Sequence, residues 1–129
     1  MISRSLRILV GGALLALASG APAGEPRYSN KWRIEIDEGA NNDGVLRFQV
    51  TPKGDAPTQV VVNVEEGRSE NGVATDVAHA FEAALDQARY HVEKDDGEDV
   101  LVKKKDGPDF SIELLEDTVR GTNVDLERE

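Results

Sequence analysis

Apolar residues fall at every second position through three stretches that begin after residue 30. Trp32, Ile34 and Ile36 alternate with Arg33, Glu35 and Asp37; Leu46, Phe48 and Val50 alternate with Arg47 and Gln49; Val60, Val62 and Val64 follow the same rule. A period of two is the signature of a half-buried strand. The segments between them are short and rich in Gly, Asn, Asp and Pro, so neighbouring strands are expected to pair antiparallel.

The period then changes. Val73, Val77, Phe81, Ala84, Leu85 and Ala88 lie on one side at 100° per residue, and Thr75, His79, Glu82 and Asp86 lie on the other. This predicts an amphipathic helix of about four turns. Its alanines favour helix and keep the buried face thin. Ser69 is the candidate N-cap, with Gly67 and Gly72 leaving the start open by one turn.

At Tyr90 the period of two returns. Tyr90 and Val92 run into Asp95-Asp96-Gly97, and Val100 and Val102 run out. A two-residue loop would pair Val92 with Leu101 and turn Val100 and Val102 to the wrong face. A three-residue loop with Gly97 as a bulge pairs Val92 with Val100 and Tyr90 with Val102, and keeps all four on one face. The second register is the expected one. Phe110, Ile112 and Leu114 predict a further strand to about Glu116. Val124 and Leu126 predict a last strand after the Arg120-Gly121-Thr122 turn.

The order is three strands, one helix, then three or four strands (β-β-β-α-β-β-β(-β)). That indicates an α+β domain of mostly antiparallel strands, with the helix packed on a twisted sheet. Seven strands laid flat would be roughly 30 Å across, and a helix is about 10 Å wide. Either the sheet folds back on itself or a second copy covers the surplus apolar face.

The N-terminus changes the setting. Arg4 and Arg7 precede an unbroken run of apolar and glycine residues from Ile8 to Ala18, too short to span a bilayer. Ala21 and Ala23 then supply a small-x-small cleavage pattern. Residues 1–23 read as a cleavable secretory signal of bacterial style, with cleavage after Gly20 the second choice. Residues 24–30 read as a flexible leader and 31–129 as one domain. The expected address is the periplasm, or else the medium, with no membrane anchor left after cleavage.

Cleavage takes both arginines with it, so the formal charge of −10 becomes −12. Such a surface repels nucleic acid and anionic membranes, and attracts cations or basic proteins. The chain has no cysteine, which excludes thiol catalysis and thiolate metal sites.

Chemistry-bearing constellations are few. Asp76, His79, Glu82 and Asp86 share the helix's outer side, a poor zinc set and more simply a solvated face. Glu93, Asp95, Asp96, Glu98 and Asp99 crowd one hairpin tip. The tip lacks the ligand order of a calcium loop, and acids there also discourage edge pairing. This tip is the candidate acidic interaction surface. Lys103, Lys104 and Lys105 form the basic cluster, read as edge lysines or as neutralisers of the tip. His91 is expected on the solvent side, opposite Leu101. Ser29, Ser69 and Ser111 lack a nucleophile motif, and no phosphate loop or dinucleotide fingerprint is present.

These features imply no catalytic residue, cofactor or metal. The expected function is a small exported binding protein, inhibitor-like or immunity-like toward a basic partner met through Glu93–Asp99. The alternative is a structural envelope or surface component that self-associates. A metal-dependent hydrolase is third.

Overall fold

The computed structural model describes residues 26–129; the expected signal segment and cleavage site lie outside them. Seven strands and one helix follow in the order β1 (Lys31–Asp37), β2 (Gly44–Pro52), β3 (Thr58–Val64), α1 (Glu70–Ala84), β4 (Tyr90–Asp95), β5 (Asp99–Lys104), β6 (Phe110–Asp117) and β7 (Asn123–Arg128). The architecture is α+β, and every strand pairing is antiparallel.

The strands divide between two sheets, ordered β4-β5-β1-β7 and β3-β2-β6. This answers the geometric problem of covering so much apolar face. Each sheet turns its alternate apolar residues toward a single core, and the fold covers its own surplus face. Ile34, Ile36, Val100 and Val102 come from one sheet; Leu46, Phe48, Val60 and Val62 come from the other. The helix packs on both, chiefly on β3 and β4, which are the outer strands of their sheets. It therefore closes one side of the sandwich. Phe81 from the helix meets Phe48 of β2 edge-on, ring centroids 5.2 Å apart, an arrangement worth about 0.5–1.5 kcal/mol beyond area burial.

The opposite side is tied by the residues just before β1. Ser29, placed in the leader by sequence, is buried, and it exchanges two backbone hydrogen bonds of 2.9 Å with Phe110 of β6. Its hydroxyl donates to the carbonyl of Glu129, just past β7, at 3.0 Å. The indole of Trp32 adds a buried bond, Nε1 to the Phe110 carbonyl at 2.8 Å.

Two local expectations need correction. The β4–β5 loop has three residues, but they are Asp96–Glu98, and the register is shifted by two. Val92 faces Val102, Tyr90 faces Lys104, and Asp95 faces Asp99; His91 accordingly lies opposite Lys103, not Leu101. Parity is preserved, so Tyr90, Val92, Val100 and Val102 all remain buried. The shift centres the turn on Gly97, whose φ of 80° is the left-handed conformation glycine tolerates best, with Asp96 also left-handed at 54°. Keeping four apolar residues on one face constrains only parity, so it leaves a two-residue slide undecided.

The helix also ends a turn early. Ser69 is its N-cap, the hydroxyl accepting from the Gly72 amide at 3.1 Å. At the other end Leu85 is the C-cap, and Ala84 and Ala88 are exposed. The Gln87 side chain donates to the Glu82 carbonyl at 2.7 Å, and the Asp86 carboxylate accepts from the Ala88 amide at 2.9 Å. These polar groups satisfy the end of the helix and start the turn into β4.

Candidate functional site

Because the strands run up and down, the molecule has two ends, and the excess of acids is concentrated at one of them. At one end lie the β1–β2 loop with Glu38 and Asp43, the β3–α1 loop with Glu65 and Glu66, and the hairpin tip with Asp96 and Glu98. Arg68 and Arg120 are the cations in the loops of that end, and Arg68 is engaged by Asp76 at 2.8 Å. That contact raises the Arg68 pKa through the Asp76 hydrogen bond. The other end carries Lys53, Arg89 and the Lys103–Lys105 run interleaved with Asp55, Asp86, Asp106 and Asp109.

The five acids of the candidate surface do not act alike. Glu93 pairs with Lys103 at 3.0 Å, and the Lys103 hydrogen bond holds its carboxyl below the usual range. Asp99 and Asp95 both reach Arg33 of β1, at 2.7 and 3.2 Å. Glu129 takes the same guanidinium from the other side at 2.7 Å. Three carboxylates raise the Arg33 pKa, Glu129 most, and Arg33 in turn lowers that of Glu129. Asp96 and Glu98 have no cation partner among the described ion pairs. The tip therefore offers two carboxylates without a cation partner at its turn, with three cation-paired ones behind them, two of which share Arg33.

Strand register adds acids that sequence inspection missed. Asp95 stands opposite Asp99, Asp99 opposite Glu35, and Glu35 opposite Asp125. One row of carboxylates thus crosses all four strands of the β4-β5-β1-β7 sheet on its outer face, where Glu35, Asp99 and Asp125 line a shallow hollow. Like charges directly opposed are unfavourable. Glu35 shows it: desolvation first, then Glu127, Asp99 and Asp125, raise its pKa above the ordinary value. Period-two alternation placed Glu35 on the outer face, but its neighbours come from pairing the first strand with the last, which leaves no local signal.

The remaining candidates are accounted for individually. His79 and Glu82 are exposed on α1, while Asp76 is held by Arg68 and Asp86 by the turn after the helix. Among the described residues no three His, Asp or Glu side chains are grouped to hold a metal ion. Lys103 is paired with Glu93, Lys104 with Asp109 at 3.0 Å, and Lys105 donates to the Gln87 carbonyl at 3.0 Å. His91 is exposed beside Glu93 at 3.9 Å. Ser69 caps the helix, Ser29 binds the Glu129 carbonyl, and Ser111 is buried. No helix among the described residues is long and apolar enough to cross a membrane. No protein-family model matches the chain, and no curated protein matches it.

Proposed function

We propose that this is a small exported, non-catalytic binding protein that meets a basic protein partner through its acidic end. One observation carries the reading: Glu38, Asp43, Glu65, Glu66, Asp96 and Glu98, none with a cation partner among the described ion pairs, gather there in loops of three different connections. A charge field of one sign at one end steers an oppositely charged partner and orients its approach. Asp96 and Glu98 lead that end, and the carboxylate row extends it along the sheet. An inhibitor-like or immunity-like role toward a basic enzyme or toxin fits such a surface. The export segment at residues 1–23 would place the encounter in the periplasm or the medium.

Self-association was suggested by the excess of apolar sheet. That face is buried within the chain, which leaves the assembly reading without that support.

The test is affinity capture from the native envelope and medium, followed by measurement of Kd for each recovered partner across ionic strength. A basic partner whose affinity falls steeply between low and high salt is expected. Binding indifferent to salt, or recovery of acidic partners alone, sinks the electrostatic reading.

A further inference from the structure

β6 and β7 are consecutive, and only residues 118–122 separate them. A connection that short ordinarily joins the strands of a hairpin. These two do not pair: β6 belongs with β2, and β7 with β1. Between them lie two edges that pair with no strand among the described residues, and a slot lined by Trp32, Ile112, Glu113 and Leu126 and, from the segment before β1, by Pro26 and Arg27.

The main-chain groups facing the slot follow from the alternation of antiparallel ladders. Phe110 turns its amide and carbonyl to Ser29, on the slot side. Ile112 and Leu114 therefore point theirs the same way. On β7, the Glu129 amide donates to the Lys31 carbonyl at 2.9 Å, so odd-numbered residues face β1. Val124 and Leu126 then face the slot. The pairing begun by Ser29 stops there, and among the described residues no backbone bond joins Arg27 to Ile112.

Side chains supply the second half of the argument. Leu114, Val124 and Leu126 lie half-buried against the core on the inner side. On the outer side stand Glu113, Asp125 and Glu127. None of these three has a cation partner among the described ion pairs. Glu113 meets only the Gln49 amide, at 3.4 Å.

We infer that this slot takes a short extended segment of a partner protein, in which apolar and basic residues alternate, added as a strand antiparallel to β6. An unpaired edge is a template for such an addition: the backbone supplies hydrogen bonds, and alternate side chains supply specificity. Apolar side chains of the segment cover Leu114 and Leu126. Its basic side chains meet Glu113, Asp125 and Glu127. The chain's own Arg27 already brings a cation into the slot's lining, and the antiparallel direction is the one Ser29 adopts on the same edge. This inference rests on the basic-partner reading and gives it a docking mode.

The probe is a capped peptide of three Lys-Val repeats, compared with the same peptide N-methylated at alternate residues, which keeps charge and removes strand donors. The protein is the chain purified after export. Expected is at least tenfold slower amide exchange at Ile112 and Leu114 with the first peptide and no change with the second. The double variant Glu113→Lys/Asp125→Lys, both at exposed positions, is expected to lose binding at least tenfold with its melting midpoint kept or raised, since Asp125→Lys also relieves the opposition to Glu35. Protection falling instead on residues 38–43, 65–66 and 96–98 overturns the slot and leaves the basic-partner reading standing. Failure of both this peptide and every basic protein to bind overturns both. Protection of Ile112 and Leu114 without peptide also overturns the slot: if independent of concentration, the chain's own leader fills it, and if rising with concentration, a second copy does.

Discussion

Glu35 of β1 and Asp125 of β7 stand directly opposite each other in the four-stranded sheet, two carboxylates joined by a first-to-last strand contact. Asp99 flanks Glu35 on the other side. The arrangement costs stability wherever Glu35 is charged. Glu35→Gln removes that charge and keeps the shape. It is expected to stabilise the fold at pH 7 by about 0.2–1 kcal/mol at low salt, less at high salt. The pH dependence has a definite sign. The folded carboxyl titrates above its ordinary value of 4.5. The penalty is therefore full above that raised pKa and disappears as pH falls below the unfolded value. Urea midpoints of the two proteins should differ at pH 7 and converge near pH 4; equal midpoints at both pH values refute the repulsion.

Arg33 is the counterweight in the same sheet, shared by Asp95, Asp99 and Glu129. Arg33→Met keeps the aliphatic stem and removes the guanidinium. Three carboxylates then face one another without a cation, and a loss of about 1 kcal/mol is expected, since these pairs are partly solvated. Glu129 titrates low in the folded chain because Arg33 holds it ionised. Its contribution is present above the ordinary carboxylate pKa and is lost as pH falls through the lowered value. The deficit of the variant should shrink in acid and in high salt. A deficit that persists in acid would point to lost packing of the stem instead.

These two residues show where sequence reasoning stops. Alternation along β1 places Trp32, Ile34 and Ile36 inward and Arg33 and Glu35 outward, and the burial pattern agrees. Ser69 as N-cap and the inward set of the β4–β5 hairpin were equally legible, because capping and parity are local. What surrounds Arg33 is not local. Its three partners come from β4, β5 and the residue after β7, and only the pairing of β1 with both β5 and β7 unites them. The division into two sheets is hidden for the same reason: a five-residue connection between β6 and β7 reads like a hairpin, and the competing pairing of each strand is long-range. Of the candidate acids, their shared hairpin was visible, but the cations that neutralise Glu93, Asp95 and Asp99 were not all in view. Lys103 lies on the next strand, while Arg33 is 62 and 66 residues away from its hairpin partners.

Close backbone approach at the acidic end gives a sharper stability test. A β-carbon added at Gly44, the first residue of β2, meets the Thr118 carbonyl oxygen at 2.8 Å and the Val119 Cα at 2.9 Å. Both are backbone atoms and cannot swing away. Gly44→Ala is expected to cost about 1–3 kcal/mol, as overpacking does. At Gly54 the added carbon meets open space, and only the positive φ of 82° opposes it, for about 1 kcal/mol. Denaturant melts of both variants, followed by the fluorescence of Trp32, the single tryptophan, should rank Gly44→Ala as the more damaging. The reverse order would contradict the contact between β2 and the β6–β7 connection.

The hairpin acids separate binding from stability. Asp96 and Glu98 sit in the turn without cation partners, whereas Glu93 is held by Lys103 across the strand pair. Asp96→Lys/Glu98→Lys should therefore leave the urea midpoint nearly unchanged, because the relief of net negative charge offsets the cost of Lys in the left-handed conformation of Asp96. The same change reverses the sign of the leading edge of the acidic end. Against a basic partner it should lower the association rate at low salt by about tenfold or more, with the difference fading as salt is added, as a steering effect requires. Glu93→Lys should do the opposite: a lower urea midpoint from a lost ion pair and two neighbouring lysines, with a smaller effect on association. Its stability loss should shrink in acid, since the wild-type attraction is itself lost once pH falls through the lowered Glu93 pKa, and the part that remains is the repulsion between the two lysines. Stopped-flow association and urea melts on the same three proteins decide the matter. If Asp96→Lys/Glu98→Lys leaves association unchanged at low salt, the hairpin turn takes no part in steering a partner.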